Sequence, residues 1–273
     1  MAMRVESMSD ASVVLRQAAS FLASRPVLHN LVTTLLHARV AHPEPGRYWV
    51  AFDGEEIVGV TLQSPLDFPA TLTPTPDAAV SAVVSTIAAE GVVLPGVIGD
   101  AATTARFAGE WTEHRRGGAT PDSGQRVYEL GELSPARFAT GRLRPVEQTE
   151  EDVVVGWLEV FREETGERVI PPPIVQRRLV ERQLWFWDDG GPVSFAGHAR
   201  PVNGVARLGP VFTPPELRNR GYGSACVAAL SRHLTGQGLR CILYADLANP
   251  VSNSIYRRMG YQAVVEILRY RFA

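Results

Sequence analysis

Hydrophobic and polar positions along the chain fall into two successive cycles of helix and strand. Apolar residues at helical spacing in SVVLRQAASFLASRPVLHNLVTTLLHARV predict two amphipathic helices between Ser12 and Val40, broken near Pro26. Tyr48–Phe52, the Asp53-Gly54 turn and Ile57–Leu62 form a strand, a tight turn and a returning strand. A helix follows over Asp77–Glu90, opened by Pro76 and stopped by Gly91. Val92–Ile98 reads as a short strand and Ala101–His114 as a helix. Residues 117–124, rich in Gly and Pro, read as a loop, and Arg126–Leu130 as a strand.

After a linker-like stretch, Glu132–Gly141, the cycle restarts. A strand at Arg142–Val146, a helix at Glu151–Glu163, an extended corner at Pro171–Pro173 and a helix at Ile174–Arg182 lead into a hairpin. Its arms are Leu184–Trp187 and Val193–Ala199. Strand Val205–Phe212, helix Gly221–Thr235, strand Arg240–Asp246, short helix Ser252–Met259 and strand Tyr261–Phe272 complete the pattern. RYWVAFDGEEIVGV and LWFWDDGGPVSFAG share an aromatic strand, an Asp-Gly turn and a returning strand, which points to a tandem duplication. The expected class is α/β with mixed sheets, in two domains over 1–135 and 136–273.

Composition narrows the functions open to such a chain. It has 273 residues, 45% of them hydrophobic, as in a globular protein. A net charge of −2 gives no basic field to gather nucleic acid or an anionic membrane, so neither is an expected partner. All basic residues apart from histidine are arginine, which excludes a Schiff-base lysine. Cys226 and Cys241, in no CxxC spacing, argue against a disulfide framework and for a reducing compartment. The first residues lack the apolar core of a signal peptide, and no apolar run is long enough to span a bilayer; a cytoplasmic location is expected. His29, His37, His42, His114, His198 and His233 show no HxxH or HExxH spacing, so no metal site is expected.

The chemistry concentrates in GPVFTPPELRNRGYGS, from Gly209 to Ser224. A strand runs into two prolines, which end its pairing and leave its last backbone groups open. Arg218-x-x-Gly221-x-Gly223 then opens a helix with an apolar stripe at Cys226, Val227, Leu230 and Leu234. Successive N–H groups at a glycine-rich helix start form an anion nest, reinforced by the helix dipole and by Arg218 and Arg220. A diphosphate suits that arrangement; a plain strand-to-helix turn using glycine is the alternative. Neither GxGxxG with its acidic partner nor GxxxxGK[ST] is present.

TPPELRNRGYGSACVAALSRHL followed by ILYADLANPVSNSIYRRMGYQ resembles the acetyl-CoA-binding core of the GNAT superfamily of N-acetyltransferases. The resemblance covers about half the chain. It implies that Val211, Phe212 and Thr213 bind the pantetheine arm through their backbone. It further implies that Arg218, Asn219, Arg220, Gly221, Tyr222, Gly223 and Ser224 hold the diphosphate. Asn249, Ser252, Asn253 and Tyr256 would contact the rest of the cosubstrate, and Tyr256 would protonate the departing thiolate. A phenol, with a reference pKa of about 10 against about 8.5 for a thiol, carries that proton at neutral pH; a core aromatic is the bland alternative. Glu163 and Glu164 border the acceptor site in the resembled fold, and Glu164 is the candidate base, with a solvated helix end or a water chain as alternatives. Trp185, Phe186 and Trp187 line either the acceptor cleft or the core.

In the first half the counterpart of the cofactor loop is read as Val97–Arg106, where Gly99 is followed by Asp100 and RxxGxG is missing. That half is expected to be a degenerate GNAT-like domain that does not bind acetyl-CoA. The function implied is acetyl transfer from acetyl-CoA to a primary amine of a small molecule, amino acid or peptide. The alternative is a non-catalytic acyl-CoA sensor. Monomer and homodimer are both open.

Overall fold

The computed structural model describes residues 3–134, 139–166 and 170–273. In chain order its elements are β1 (Met3–Met8), α1 (Ala11–Gln17), α2 (Ala19–Ser24), α3 (Asn30–Ala41), β2 (Arg47–Asp53), β3 (Glu56–Gln63), β4 (Ala70–Leu72), α4 (Asp77–Ala89), β5 (Gly96–Asp100), α5 (Ala101–Arg115) and β6 (Ala119–Leu130). They continue as β7 (Arg142–Pro145), α6 (Glu151–Thr165), α7 (Pro172–Val180), β8 (Leu184–Asp188), β9 (Pro192–His198), β10 (Val205–Phe212), α8 (Tyr222–Thr235), β11 (Arg240–Asp246), α9 (Pro250–Arg258) and β12 (Tyr261–Phe272). The chain forms two compact units. One comprises Met1–Val127, Ala245–Pro250 and Ala263–Ala273, the other Tyr128–Tyr244 and Val251–Gln262. The boundary expected at 135/136 lies outside the described residues.

In the first unit β1, β2 and β3 pair antiparallel in sequence, β3 pairs β4, and β4 runs parallel to β5. The final strand of the chain pairs antiparallel with β5, from Ile267 opposite Asp100 to Arg271 opposite Gly96. Side chains alternate across a strand, and β2 uses both faces. Tyr48, Val50 and Phe52 pack with Val14, Leu22 and Leu36 of the first helices. Trp49 and Ala51 pack on the other side with Val80, Val83, Val84 and Ile87 of α4 and with Phe107 and Trp111 of α5. Burying each such large side chain contributes about 1.5–3 kcal/mol, which explains the run of apolar residues in this strand.

Several local expectations differ from the structure. The segment expected as two helices forms three, because the helix breaks at Ala18 as well as near Pro26. The short edge strand β1 and the three-residue β4 carry too few alternating positions to be seen in the pattern. Residues 119–124, expected as a loop, belong to β6 despite Pro121 and Gly124. Asp122 holds this stretch, accepting from Arg269 at 3.1 Å and from Arg271 at 2.5 Å. Such pairing arises over more than a hundred residues of separation, where local turn signals carry no information.

In the second unit β10 is central. It pairs parallel with β11 and antiparallel with β9, which continues through β8 to β7. Leu184, Phe186, Phe195 and Phe212 meet Val154 and Leu158 of α6 and Val175 and Leu179 of α7. Ala225, Cys226, Val227, Ala228, Leu230 and Leu234 form the buried face of α8. Trp185 packs at a tilt against His233 of that helix with ring centroids 4.6 Å apart, and Phe186 and Trp187 are buried; the aromatic strand is core. Burial raises the thiol pKa of Cys226 and pushes that of Cys241 up to about 12, so both stay protonated, inert thiols.

Both units use the same strand–helix–parallel-strand crossover: β4–α4–β5 in the first and β10–α8–β11 in the second. By strand order the first-half counterpart of the loop between β10 and α8 is therefore Thr73–Pro76, not Val97–Arg106, which covers most of β5 and the start of α5. Asp100 instead caps α5, its Oδ2 accepting from the Thr103 N–H at 3.1 Å. No helix among the described residues is long and apolar enough to cross a membrane. Among the described residues no group of three or more His, Cys, Asp or Glu could hold a metal ion.

Buried histidines give the fold a pH dependence. Burial lowers the pKa of His29 and of His198 below the ordinary 6.5. The unfolded chain therefore binds more protons near and below pH 6.5, and stability falls as pH drops through that range. The urea midpoint should be lower at about pH 5.5 than at about pH 7.5, and the slope should shrink in a His29→Asn/His198→Asn double variant. An unchanged wild-type midpoint across this interval would contradict the assignment.

Candidate active site

The site starts where two parallel strands part. β10 and β11 pair from Val205 opposite Arg240 to Leu208 opposite Leu243, and the ladder stops there. On its other side, β10 shifts register against β9 between Leu208 and Val211, so Gly209 and Pro210 together face Gly197 in a β-bulge. Gly209 has φ +139°, a conformation suited to glycine, and Pro210 has no N–H to donate. Beyond the bulge Val211 and Phe212 still pair with Ala196 and Phe195 of β9 but have left β11. One edge of the strand is thus open over Val211–Thr213.

Ser194, on β9, fixes the end of this strand. Its hydroxyl donates to the Phe212 carbonyl at 2.9 Å and shares a hydrogen bond of 2.9 Å with the Thr213 hydroxyl. Thr213 in turn lies so close to the start of α8 that a Cβ on Gly223 would come within 3.0 Å of its Oγ1. The intervening loop turns through two left-handed residues, Asn219 at φ +63° and Gly221 at φ +85°. Gly221 is the N-cap of α8 and makes no side-chain cap. Among the described residues, the first-turn N–H groups of Tyr222, Gly223 and Ser224 have no acceptor, at the positive end of a 14-residue helix.

Arg218 reaches back across the loop. Its Nε donates to the Thr213 carbonyl at 2.9 Å, and its Nη2 donates to both Glu164 oxygens at 2.9 and 2.7 Å. The guanidinium also lies 5.7 Å from the centre of the Phe212 ring. Glu164, at the end of α6, is thereby brought to the loop, whereas Glu163 is exposed beside Arg162. Arg220 is exposed and donates to the Glu216 carbonyl at 3.3 Å. Tyr222 donates its hydroxyl to Asp189 at 2.9 Å, and that bond raises its pKa.

On α9, Tyr256 packs between two tyrosines, with centroids 6.4 Å from Tyr128 and 6.0 Å from Tyr261. Burial pushes its phenol up to about 12, so the proton is present throughout the neutral range. Tyr128 donates to the Asn253 Oδ1 at 2.8 Å, and Tyr261 shares a 2.8 Å hydrogen bond with Ser231. Asn253 is buried, so this carbonyl oxygen is turned to the protein interior. Ser252 lies one turn ahead of Tyr256 on the same helix. Asn249, in the turn after β11, donates its N–H to the Asp246 carbonyl at 3.1 Å and is counted with the first unit.

Ser194 and Tyr128 were not singled out from the sequence. Ser194 acts on residues 18 and 19 positions away and Tyr128 on one 125 positions away, and neither carries a local motif. Taken together, the second unit offers an open strand edge that leads to an uncapped helix start beside an arginine. An extended ligand ending in an anionic group suits this arrangement.

The chain is similar to known proteins in part of its sequence and in its fold. Residues 197–270 match the family described as FR47-like protein. A mycothiol acetyltransferase of Streptomyces coelicolor is 31% identical over 112 residues, a match that spans 36% of this chain and 36% of that relative. The alignment thus spans little more than a third of the length of the curated relative. An acetyltransferase of the GNAT family from Colwellia psychrerythraea has a TM-score of 0.64 at 11% identity, over 99% of this chain and 100% of that one. A GCN5-related N-acetyltransferase from Sphaerobacter thermophilus gives 0.63 at 15% identity, over 98% and 95% of the two chains. These two solved structures establish the fold. The chain thus shares the fold of these solved GNAT structures over nearly its whole length, and its second half carries the RxxGxG motif.

Proposed function

We propose that this protein transfers the acetyl group of acetyl-CoA to a primary amine of a small molecule, amino acid or peptide. The observation that carries this reading is the parting of β10 from β11 directly before an uncapped helix start at Gly221. Bound acetyl-CoA would supply an acetyl group activated as a thioester. The open edge at Val211–Thr213 would take the pantetheine arm as an added strand and present backbone donors to the thioester oxygen. The N–H groups of residues 222–224, with Arg218 and Arg220, would hold the diphosphate, and Ser252 would hold part of the remainder.

In the reaction the acceptor nitrogen bonds to the acetyl carbon as the carbon–sulfur bond breaks. Tyr256 gives its phenolic proton to the departing sulfur and regains one from solvent. Since both Glu164 oxygens accept from Arg218, we place Glu164 as the partner of that guanidinium and leave the amine proton to water. A diphosphate would compete with this carboxylate for Arg218.

In the first unit, the corresponding loop is unsuited to an anion. Pro74 and Pro76 have no N–H, the Thr73 N–H donates to the Val60 carbonyl, and the Thr75 N–H to the Thr103 hydroxyl. Asp77 adds a negative charge in the first turn of α4. One acetyl-CoA per chain is the stoichiometry we assign. The name of the curated relative brings mycothiol-related small molecules into the acceptor panel beside amino acids and peptides.

The test is CoA release over that panel. Wild type should release CoA with at least one amine, and Tyr256→Phe should lower kcat by about 10²-fold while leaving acetyl-CoA affinity within about twofold. Tight acetyl-CoA binding with no release for any amine would favour a sensor over an enzyme. Glu164→Gln should tighten acetyl-CoA binding and hold kcat within about threefold, since it removes a competing anion from Arg218. A large loss of kcat in that variant would return Glu164 to the role of base.

A further inference from the structure

The bulge that opens β10 is spanned by a cation that the mechanism above does not use. Arg178, on α7, donates from a single nitrogen, Nη2, to the carbonyl of His198 at 3.0 Å and to that of Gly209 at 2.7 Å. The first acceptor is the last residue of β9 and the second is the first residue of the bulge. Both are neutral carbonyls, not carboxylates. Burial, with Arg207 and Arg177 nearby, lowers the arginine pKa to about 10, still charged at neutral pH.

Room for this group is built into the sheet. Gly197, the residue facing the bulge, has no Cβ; one placed there would lie 3.0 Å from Arg178 Nη2 and 2.9 Å from Leu184 Cδ2. A cation desolvated onto neutral carbonyls costs stability, and an apolar side chain would fill the space at lower cost. Its presence is accounted for by what it holds. Regular ladder bonding is lost where two residues face one, and Arg178 ties the two strands together at that break.

We propose that Arg178 is a positioning residue that sets the course of β10 beyond the bulge and so fixes Val211–Thr213 for the thioester. This rests on the acetyl-CoA reading of the same strand edge. Arg178 touches neither the acyl donor nor the acceptor; it acts through the Gly209 carbonyl and the strand that follows.

Two variants test it, Arg178→Met and Arg178→Lys, with acetyl-CoA affinity by calorimetry, kcat, acceptor KM and thermal midpoint measured for each. Arg178→Met should weaken acetyl-CoA binding about tenfold or more and lower kcat, with acceptor KM within about twofold of wild type. Lysine keeps the charge but has a shorter stem and no planar fork, so Arg178→Lys should fold normally and recover only part of the affinity. Amide exchange at Val211 and Phe212 should quicken in the lysine variant relative to wild type. Either variant folded and unaltered in both affinity and kcat, beside a wild type that binds acetyl-CoA, would overturn the assignment of Arg178 alone. A folded wild type that does not bind acetyl-CoA would overturn the functional reading and this inference with it.

Discussion

Everything proposed for the second unit depends on β10 leaving β11 after Leu208 and Leu243. A parallel ladder that continued to Phe212 would consume the backbone groups needed for a ligand and would close the space in front of α8. The bulge at Gly209 and Pro210 prevents this, since proline has no donor and the extra residue breaks the register against β9. Strand separation alone would leave the free edge poorly defined. Ser194 holds the Phe212 carbonyl and the Thr213 hydroxyl, and Arg218 holds the Thr213 carbonyl, so the open edge ends in a fixed geometry.

That geometry couples the strand edge to a charged loop. Arg218 touches the end of β10 and the end of α6 together, through Thr213 and Glu164. Both members of the ion pair are substantially exposed, so the pair itself contributes little stability, about 0–1 kcal/mol. Its interest lies in placement: a guanidinium already oriented toward a carboxylate is also oriented for a phosphate oxygen. The first unit shows the same crossover without this chemistry. Its loop consists of Thr73, Pro74, Thr75 and Pro76, and its N–H groups are either missing or committed to Val60 and Thr103. One topology thus leads into a helix start with no side-chain cap in one unit and into a loop with committed or missing N–H groups in the other.

Much of this was legible in the chain. The strands Val205–Phe212 and Arg240–Asp246 have the limits that their apolar runs predict, because buried strands announce themselves by composition. Tyr261–Phe272, most of it half-buried or exposed, also has its expected limits. Gly221 and Gly223 were legible because a left-handed turn and a close approach to Thr213 each require glycine. What depends on distant pairing was not. Residues 119–124 have the composition of a loop, yet Asp122 is held by Arg269 and Arg271. The compact units are not consecutive in sequence, since residues 263–273 are counted with the first. Spacing puts the first-half counterpart of the loop at Val97–Arg106, whereas strand order puts it at Thr73–Pro76. The sequence marks Glu164 only by its place at a helix end, and the structure brings its carboxylate to Arg218.

The most direct test of the central claim is calorimetric titration of acetyl-CoA into the wild-type protein and into Arg218→Ala. Arg218 is the better site for this than Gly221, whose φ of +85° makes any side chain there a test of backbone strain as well. The account predicts binding at one site per chain, weakened about tenfold or more by the loss of Arg218. Absence of binding by folded wild type, or equal binding by both proteins, would contradict it.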